Sequence, residues 1–321
     1  MIEVSQLTKK YGDHVAIDSL NFTVKKGEVV GFLGPNGAGK STTMKIITGF
    51  MAPSSGAAQI AGYDVFENPI EVKRRIGYLP ETPPVYLDMN VEEYLSYVAE
   101  LKGVEKERRL QLVNRAVEKT NLGQVRRRLI HNLSKGFKQR VGIAQALVSD
   151  PEVLILDEPT VGLDPKQVAE IRDLIKELRG QHTIILSTHI LPEVQATCER
   201  IIIIHRGKIV AQDSLANLSA LQSGGRKVHL KVRKSAAELG AKLKGIRGIQ
   251  KVVSGATPQD WELDTESDDE IVETVAREII AGGYGLLEIG SVKADLEDIF
   301  LKLTYGDSSP NGSGQRMEVH A

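Results

Sequence analysis

Short, fully apolar runs alternate along this chain with stretches whose apolar residues recur at helical spacing. Val29-Val30-Gly31-Phe32-Leu33 reads as a buried strand. A Gly-rich turn follows, then a helix from Lys40 to about Ile47, which Gly49 stops. Ile76-Gly77-Tyr78-Leu79 is a second strand, halted by Pro80. Val91, Tyr94, Leu95 and Val98 fall at i, i+3, i+4 and i+7 and give a helix one apolar face. Further helices are predicted from about Glu105 to Thr120 and from after Leu133 to about Val148. Strands then return at Val153–Leu156, Thr183–Leu186 and Ile201–Ile204, all apolar, as in a sheet covered on both faces. Asp164 before Pro165 marks a helix start, a capping side chain followed by proline at the first helical position. This order predicts an α/β core with a mainly parallel sheet and a helical insertion over about 88–150.

Beyond Ser223-Gly224-Gly225-Arg226, which reads as a linker, the pattern changes scale. Strands are expected near 227–233, 248–253, 259–264 and 285–290, with helices near 235–243, 270–281 and 294–304. That order suggests a small α+β unit of the ferredoxin-like, split β-α-β kind. From Gly306 the chain is rich in Ser, Gly and Pro and is expected to be a disordered tail. The organisation expected is therefore a domain over 1–222, a second over 226–305 and a tail over 306–321.

Composition narrows the function classes. Lys plus Arg total 41 and Asp plus Glu 42, a net charge of −1, so no overall field draws the chain to nucleic acid or to an anionic surface. The single cysteine, Cys198, excludes an intrachain disulfide. The opening residues carry no secretory pattern, and no run approaches the roughly 18 to 20 apolar residues of a membrane span. The expectation is a protein soluble by itself, reaching a membrane only through a partner.

The chemistry begins at Gly34-Pro35-Asn36-Gly37-Ala38-Gly39-Lys40-Ser41, which satisfies GxxxxGK[ST] between a strand and a helix. Glycines let backbone N–H groups turn toward phosphate oxygens, and the helix N-terminus adds partial positive charge. Lys40 can reach β- and γ-phosphates and Ser41 can hold Mg²⁺. Such a site needs a second magnesium carboxylate at a strand end. Asp157 stands there, directly after Leu154-Ile155-Leu156. Glu158 follows it, placed to polarise an attacking water.

With these residues in order, residues 1 to about 220 resemble the ATP-binding subunits of ABC transporters. Tyr11 looks like the family's adenine-stacking aromatic, and residues 34–41 are similar to its Walker A loop, whose phosphate-binding run takes in Gly34, Asn36, Gly37, Gly39, Lys40, Ser41 and Thr42. Leu133-Ser134-Lys135-Gly136-Phe137 stands where the family has LSGGQ, with Ser134 and Gly136 kept and Lys135 and Phe137 replacing Gly and Gln. Leu154–Glu158 resembles Walker B, Gly162-Leu163-Asp164 the D-loop, and Ser187-Thr188-His189 the switch loop, whose histidine contacts the γ-phosphate. Glu81 takes the position of the Q-loop glutamine and would face Mg²⁺ or a water. Both departures, and the stretch Asp295–Leu301, resemble the subgroup serving ABC-2-type exporters and gliding-motility systems.

The resemblance implies a P-loop ATPase using ATP and Mg²⁺, with Lys40, Glu158 and His189 as its catalytic groups. It implies a head-to-tail dimer of two copies, or of this chain with a paralogue, in which Ser134 and Gly136 of one subunit face the nucleotide of the other. It also implies an integral membrane permease as partner, a cytoplasmic position on the inner face of the membrane, and a coupling contact near Glu81 to Tyr86. No nucleic-acid partner is expected. Two other readings compete. One is a soluble ABC-type ATPase acting on ribosomes or DNA, disfavoured by the single cassette and the neutral charge. The other is a low-turnover regulatory module, prompted by Glu81 and Phe137.

Overall fold

The computed structural model describes residues 1–221, 226–234, 238–255, 257–265, 269–292 and 300. Two compact units divide the chain, 1–214 and 215–321.

The first unit opens with β1 (Ile2–Tyr11) and β2 (His14–Val24), a hairpin turning at Gly12-Asp13, and then β3 (Val29–Leu33). Next come α1 (Lys40–Ile47), β4 (Ser55–Ile60), β5 (Tyr63–Asp64), α2 (Pro69–Arg75) and β6 (Ile76–Leu79). Three helices follow, α3 (Val91–Leu101), α4 (Lys106–Lys119) and α5 (Lys135–Leu147). The unit closes with β7 (Val153–Asp157), α6 (Pro165–Leu178), β8 (Thr183–Thr188), α7 (Leu191–Thr197), β9 (Arg200–His205) and β10 (Lys208–Ser214).

Two sheets result. One has the order β2-β1-β4-β5 and is antiparallel. The other has the order β10-β9-β3-β8-β7-β6, parallel except at β10. The two sheets and α1 share one core that includes Leu7, Phe22, Phe32, Met44, Ile155, Ile185 and Ile202. On the other face of the parallel sheet, α7 packs so closely that a Cβ on Gly31 would fall 2.4 Å from Val194 and 3.3 Å from the sulfur of buried Cys198. The α/β class and the apolar strands read from sequence are borne out.

The first antiparallel sheet has no counterpart in the sequence pattern. In β1 the burial alternates over Ile2–Ser5, then slips at Gln6, whose φ is +50°, and again after Leu7. Each bulge shifts the period-2 signal by one residue, so the apolar residues lose their strand spacing.

The helical insertion has its own core, in which Val91, Tyr94, Leu95 and Val98 are buried against residues of α4 and α5. Asn90 and Glu93 form a reciprocal capping box that starts α3. Ser134 caps α5 by accepting from the Phe137 N–H.

The second unit contains α8 (Leu215–Leu221), β11 (Arg226–Val232), α9 (Leu239–Lys244), β12 (Ile249–Ser254), β13 (Asp260–Thr265), α10 (Asp269–Ala281) and β14 (Leu286–Val292). Its strands pair antiparallel in the order β12-β13-β11-β14, the arrangement two split β-α-β units produce. Ile271, Val275 and Ile279 recur every four residues along α10 and are buried with Val228, Leu230 and Leu263. The linker at 223–225, the helix read at 294–304 apart from Phe300, and the tail from Gly306 lie outside the described residues.

Gly77 of β6 lies where α5 crosses the sheet, and a Cβ there would fall 2.0 Å from the carbonyl oxygen of Ala146. Gly77→Ala is therefore expected to lower unfolding free energy by about 1–3 kcal/mol, as other overpacking substitutions do. Urea denaturation of the variant checks this.

Candidate functional site

Parallel pairing sets the site. In the ladder β3-β8-β7, Leu33 pairs with Thr188 and Asp157 with Ser187, so three chain exits emerge side by side. The exit of β3 runs into the Gly-rich loop and α1. The exit of β7 carries Asp157 and Glu158, and that of β8 carries His189. Ligand sites in parallel sheets form at such carboxyl ends.

The loop is shaped by its glycines at one decisive point. Gly39, the residue before α1, has φ +108°, and a Cβ there would lie 2.8 Å from the Ala16 carbonyl oxygen. No side chain caps α1 and no acid sits in its first turn. Its first N–H groups, with the positive end of the helix dipole, therefore stay available for an anion.

Lys40 is buried, 6% exposed. Its Nζ donates to the carbonyl oxygens of Gly34 at 2.8 Å and Pro35 at 3.3 Å, and it pairs with Glu158 Oε1 at 3.3 Å. Glu158 is buried too, with φ +50°, the left-handed region that costs a side-chain-bearing residue roughly 1–2 kcal/mol. Its N–H donates to the Ser187 carbonyl at 2.8 Å, which holds that turn. Strain of this kind, kept by its surroundings, is typical of functional sites. His189 Nδ1 lies 3.0 and 3.1 Å from the two Glu158 carboxylate oxygens. A carboxylate at Nδ1 fixes the proton on that nitrogen and leaves Nε2 free of that bond.

Asp157 is 2% exposed and accepts from Ser187 Oγ at 2.7 Å, and the Ser41 hydroxyl lies beside it. Burial pushes its carboxyl above the usual 3.8, against the two hydroxyls that favour the ionised form. Ser41 and Asp157 thus supply neighbouring hard oxygens, the donor set Mg²⁺ prefers. Among the described residues no cluster of three or more His, Cys, Asp or Glu side chains forms a protein cage for a metal.

Tyr11, Asn36, Gly37, Gly39, Lys40, Ser41, Thr42, Glu81, Glu158 and His189, all read from sequence, line one cavity of about 550 Å³. Gly34 borders it through its carbonyl, and Asp157 through Ser41. Ser134 and Gly136 do not line it. Gly136 instead packs on α6, where a Cβ would meet the Gln167 amide at 2.5 Å. Sequence reasoning missed His14, Ala16 and Val161, which also line the cavity, and Ser187, which holds Asp157. The role of Ser187 follows only from its register opposite Asp157, which strand pairing reveals and spacing does not.

Known proteins share sequence and fold with this chain. The family profile described as ABC transporter matches residues 17–161. The bacitracin transport ATP-binding protein BcrA of Bacillus licheniformis is 41% identical over 214 residues, 66% of this chain and 69% of that protein. Its namesake from Enterococcus faecalis is 33% identical over 309 residues, 95% and 97% of the two chains. Among solved structures, the ABC transporter cassette MJ0796 superposes with a TM-score of 0.62 at 27% identity, over 67% of this chain and 99% of that one. It has been solved as a dimer, including a post-hydrolysis state bound to ADP and Pi, which matches at 26% identity with the same TM-score and coverage.

The raised Asp157 carboxyl predicts a trade between stability and binding. A carboxyl raised by folding stabilises the fold fully below its unfolded value of 3.8, and that contribution is lost as pH rises. Asp157→Asn keeps an acceptor for Ser187 without the buried charge. It is expected to melt higher than the parent at pH 7, by a margin that shrinks as pH falls toward 3.8. It is also expected to lose the rise in melting temperature that MgATP gives the parent. Thermal melts at several pH values, with and without MgATP, check both.

Proposed function

The chain belongs to the ATP-binding subunits of ABC transporters, which hydrolyse ATP, and from that premise we propose that it energises export through a separate membrane-spanning permease by closing and opening an ATP-dependent dimer. In this reading the N–H groups of residues 37–42 and Lys40 hold the phosphates, and Tyr11, 46% exposed at the rim, stacks on adenine. Ser41 and Asp157 would hold Mg²⁺, which would neutralise phosphate charge, and Glu81, lining the same cavity, would face the ion or a water. Glu158 takes the proton of the attacking water, while His189 contacts the γ-phosphate and is oriented by its bond to Glu158.

One observation carries the dimer. The signature residues Ser134 and Gly136 lie outside the cavity that the other motif residues share. A nucleotide held there meets a signature when a second subunit, a copy or a paralogue, brings its own capped α5 N-terminus. ATP then adds attraction across the interface and hydrolysis withdraws it, a ligand-linked shift of a dimer equilibrium.

A second cavity, of about 440 Å³, supports the permease contact. It is lined by Lys45, Phe50, Lys73, Tyr78, Pro84 and Lys102, among others, and carries no carboxylate. Phe50 is 75% exposed there. Lys102 Nζ donates to the carbonyls of Lys73 and Ile76, and burial together with nearby Lys73 pushes its pKa down to about 8. Exposed apolar area rimmed by charge marks a protein contact. The stretch 80–84 lines both cavities, Glu81 the first and Pro80 and Pro84 the second. The C-terminal part of α1 likewise borders the second while its start borders the first. No helix among the described residues is long and apolar enough to cross a membrane. The proposal places the chain on the cytoplasmic face of the membrane through its contact with the permease.

Glu158→Gln with MgATP is expected to accumulate a dimer in light scattering and to recover a multi-span membrane protein from detergent extracts. Adding Phe50→Glu is expected to keep the dimer and lose the membrane protein. Recovery of ribosomal or DNA-associated proteins with nothing from the membrane overturns the transport reading. Unmeasurable turnover in the parent, beside a stable ATP dimer, favours a regulatory module instead.

A further inference from the structure

Glu193, on α7, is a carboxylate with no part in the scheme above, yet it is 2% exposed. Burying an ionisable group is costly unless its oxygens are satisfied. Both are. Thr160 Oγ1 donates to Oε1 in a short bond, and Thr188 Oγ1 donates to Oε2 at 3.1 Å. Both donors are themselves buried, Thr160 at 4% and Thr188 at 0%. Thr160 lies two residues after Glu158, in the turn whose Val161 lines the nucleotide cavity, and Thr188 directly precedes His189. Thr188 also ties these elements to the phosphate loop, since its carbonyl accepts from the Gly34 N–H at 3.3 Å.

We propose that Glu193 is a positioning residue for ATP hydrolysis: its two oxygens clamp the exits of β7 and β8 together and thereby set the contact between Glu158 and His189. The inference rests on the reading of Glu158 as the group that activates water. The physical reason is geometric. Glu158 sits at φ +50° and His189 at the end of a strand, so neither side chain is placed by helix or ladder bonds alone. The two neutral hydroxyls on a single carboxylate fix the spacing of the two turns. Because a misplacement of about 1 Å at a reacting group can lower the rate up to roughly a hundredfold, the clamp acts on turnover rather than on nucleotide binding.

Steady-state ATPase measurements on the full chain test this. Glu193→Gln keeps the side-chain volume but leaves only one oxygen acceptor for two hydroxyls. It is expected to lower kcat by about tenfold to a hundredfold while KM for MgATP stays within about twofold. Thr160→Val is expected to give a similar loss, and the double variant little more than either single one, as for residues acting as a unit. Thr197→Val is the control for stability. It removes the bond from Thr197 Oγ1 to the backbone carbonyl of Glu193 at 2.6 Å and leaves the carboxylate's bonds alone. It is expected to lower Tm with kcat unchanged. Glu158→Gln runs beside them. If Glu158→Gln leaves turnover intact, the reading of Glu158 falls. If it abolishes turnover and Glu193→Gln retains the parent's kcat, the clamp is overturned. Equal loss of kcat in Thr197→Val and Glu193→Gln also overturns it.

Discussion

Burial of opposite charge at one point organises this molecule. Lys40 and Glu158 are both nearly sealed from solvent and face each other at 3.3 Å. Neither charge tolerates that position alone, since an unpaired buried ion costs several kcal/mol. The pair therefore requires that the exits of β3 and β7 arrive at a fixed separation. Parallel pairing of both strands with β8 supplies that separation, and the shared core beneath the two sheets keeps the ladder in register. The Gly-rich turn, the left-handed Glu158 and the buried hydroxyls of Ser187 and Thr188 are adjustments to the same requirement.

Much of this was legible in the sequence, for identifiable reasons. The parallel strands are covered on both faces, so their apolar runs carry strong signals, and Ile76–Leu79 has the bounds read from its composition. The motif residues flank those strands and come together because strand ends do. What was not legible has physical causes as well. Bulges hid the period of β1, and with it the sheet that carries Tyr11, His14 and Ala16 to the cavity. Ser187 and Glu193 act across strands and helices, through register and burial, which no local spacing encodes. Gly77 is required by the backbone of a helix far along the chain, so nothing around it in sequence explains it.

The two cavities share a proline-rich stretch of chain. One stretch with Pro80, Pro83 and Pro84 touches both, and Tyr94 donates to the Pro84 carbonyl at 3.1 Å, fastening that stretch to the helical part. Glu81 at the first cavity and Pro84 at the second, which Phe50 also lines, are three residues apart. Proline fixes φ and removes backbone donors, so the segment has few ways to absorb a displacement locally.

The position of Cys198 has a practical consequence. The chain's only thiol lies against Gly31 under α7, and burial pushes its pKa up to about 12. At neutral pH almost none of it is the reactive thiolate, and reagents have little access to it. Spin labels or fluorophores attached to engineered surface cysteines would therefore report on single chosen positions in the native chain, without first removing the natural sulfur and disturbing the packing of α7 on the sheet.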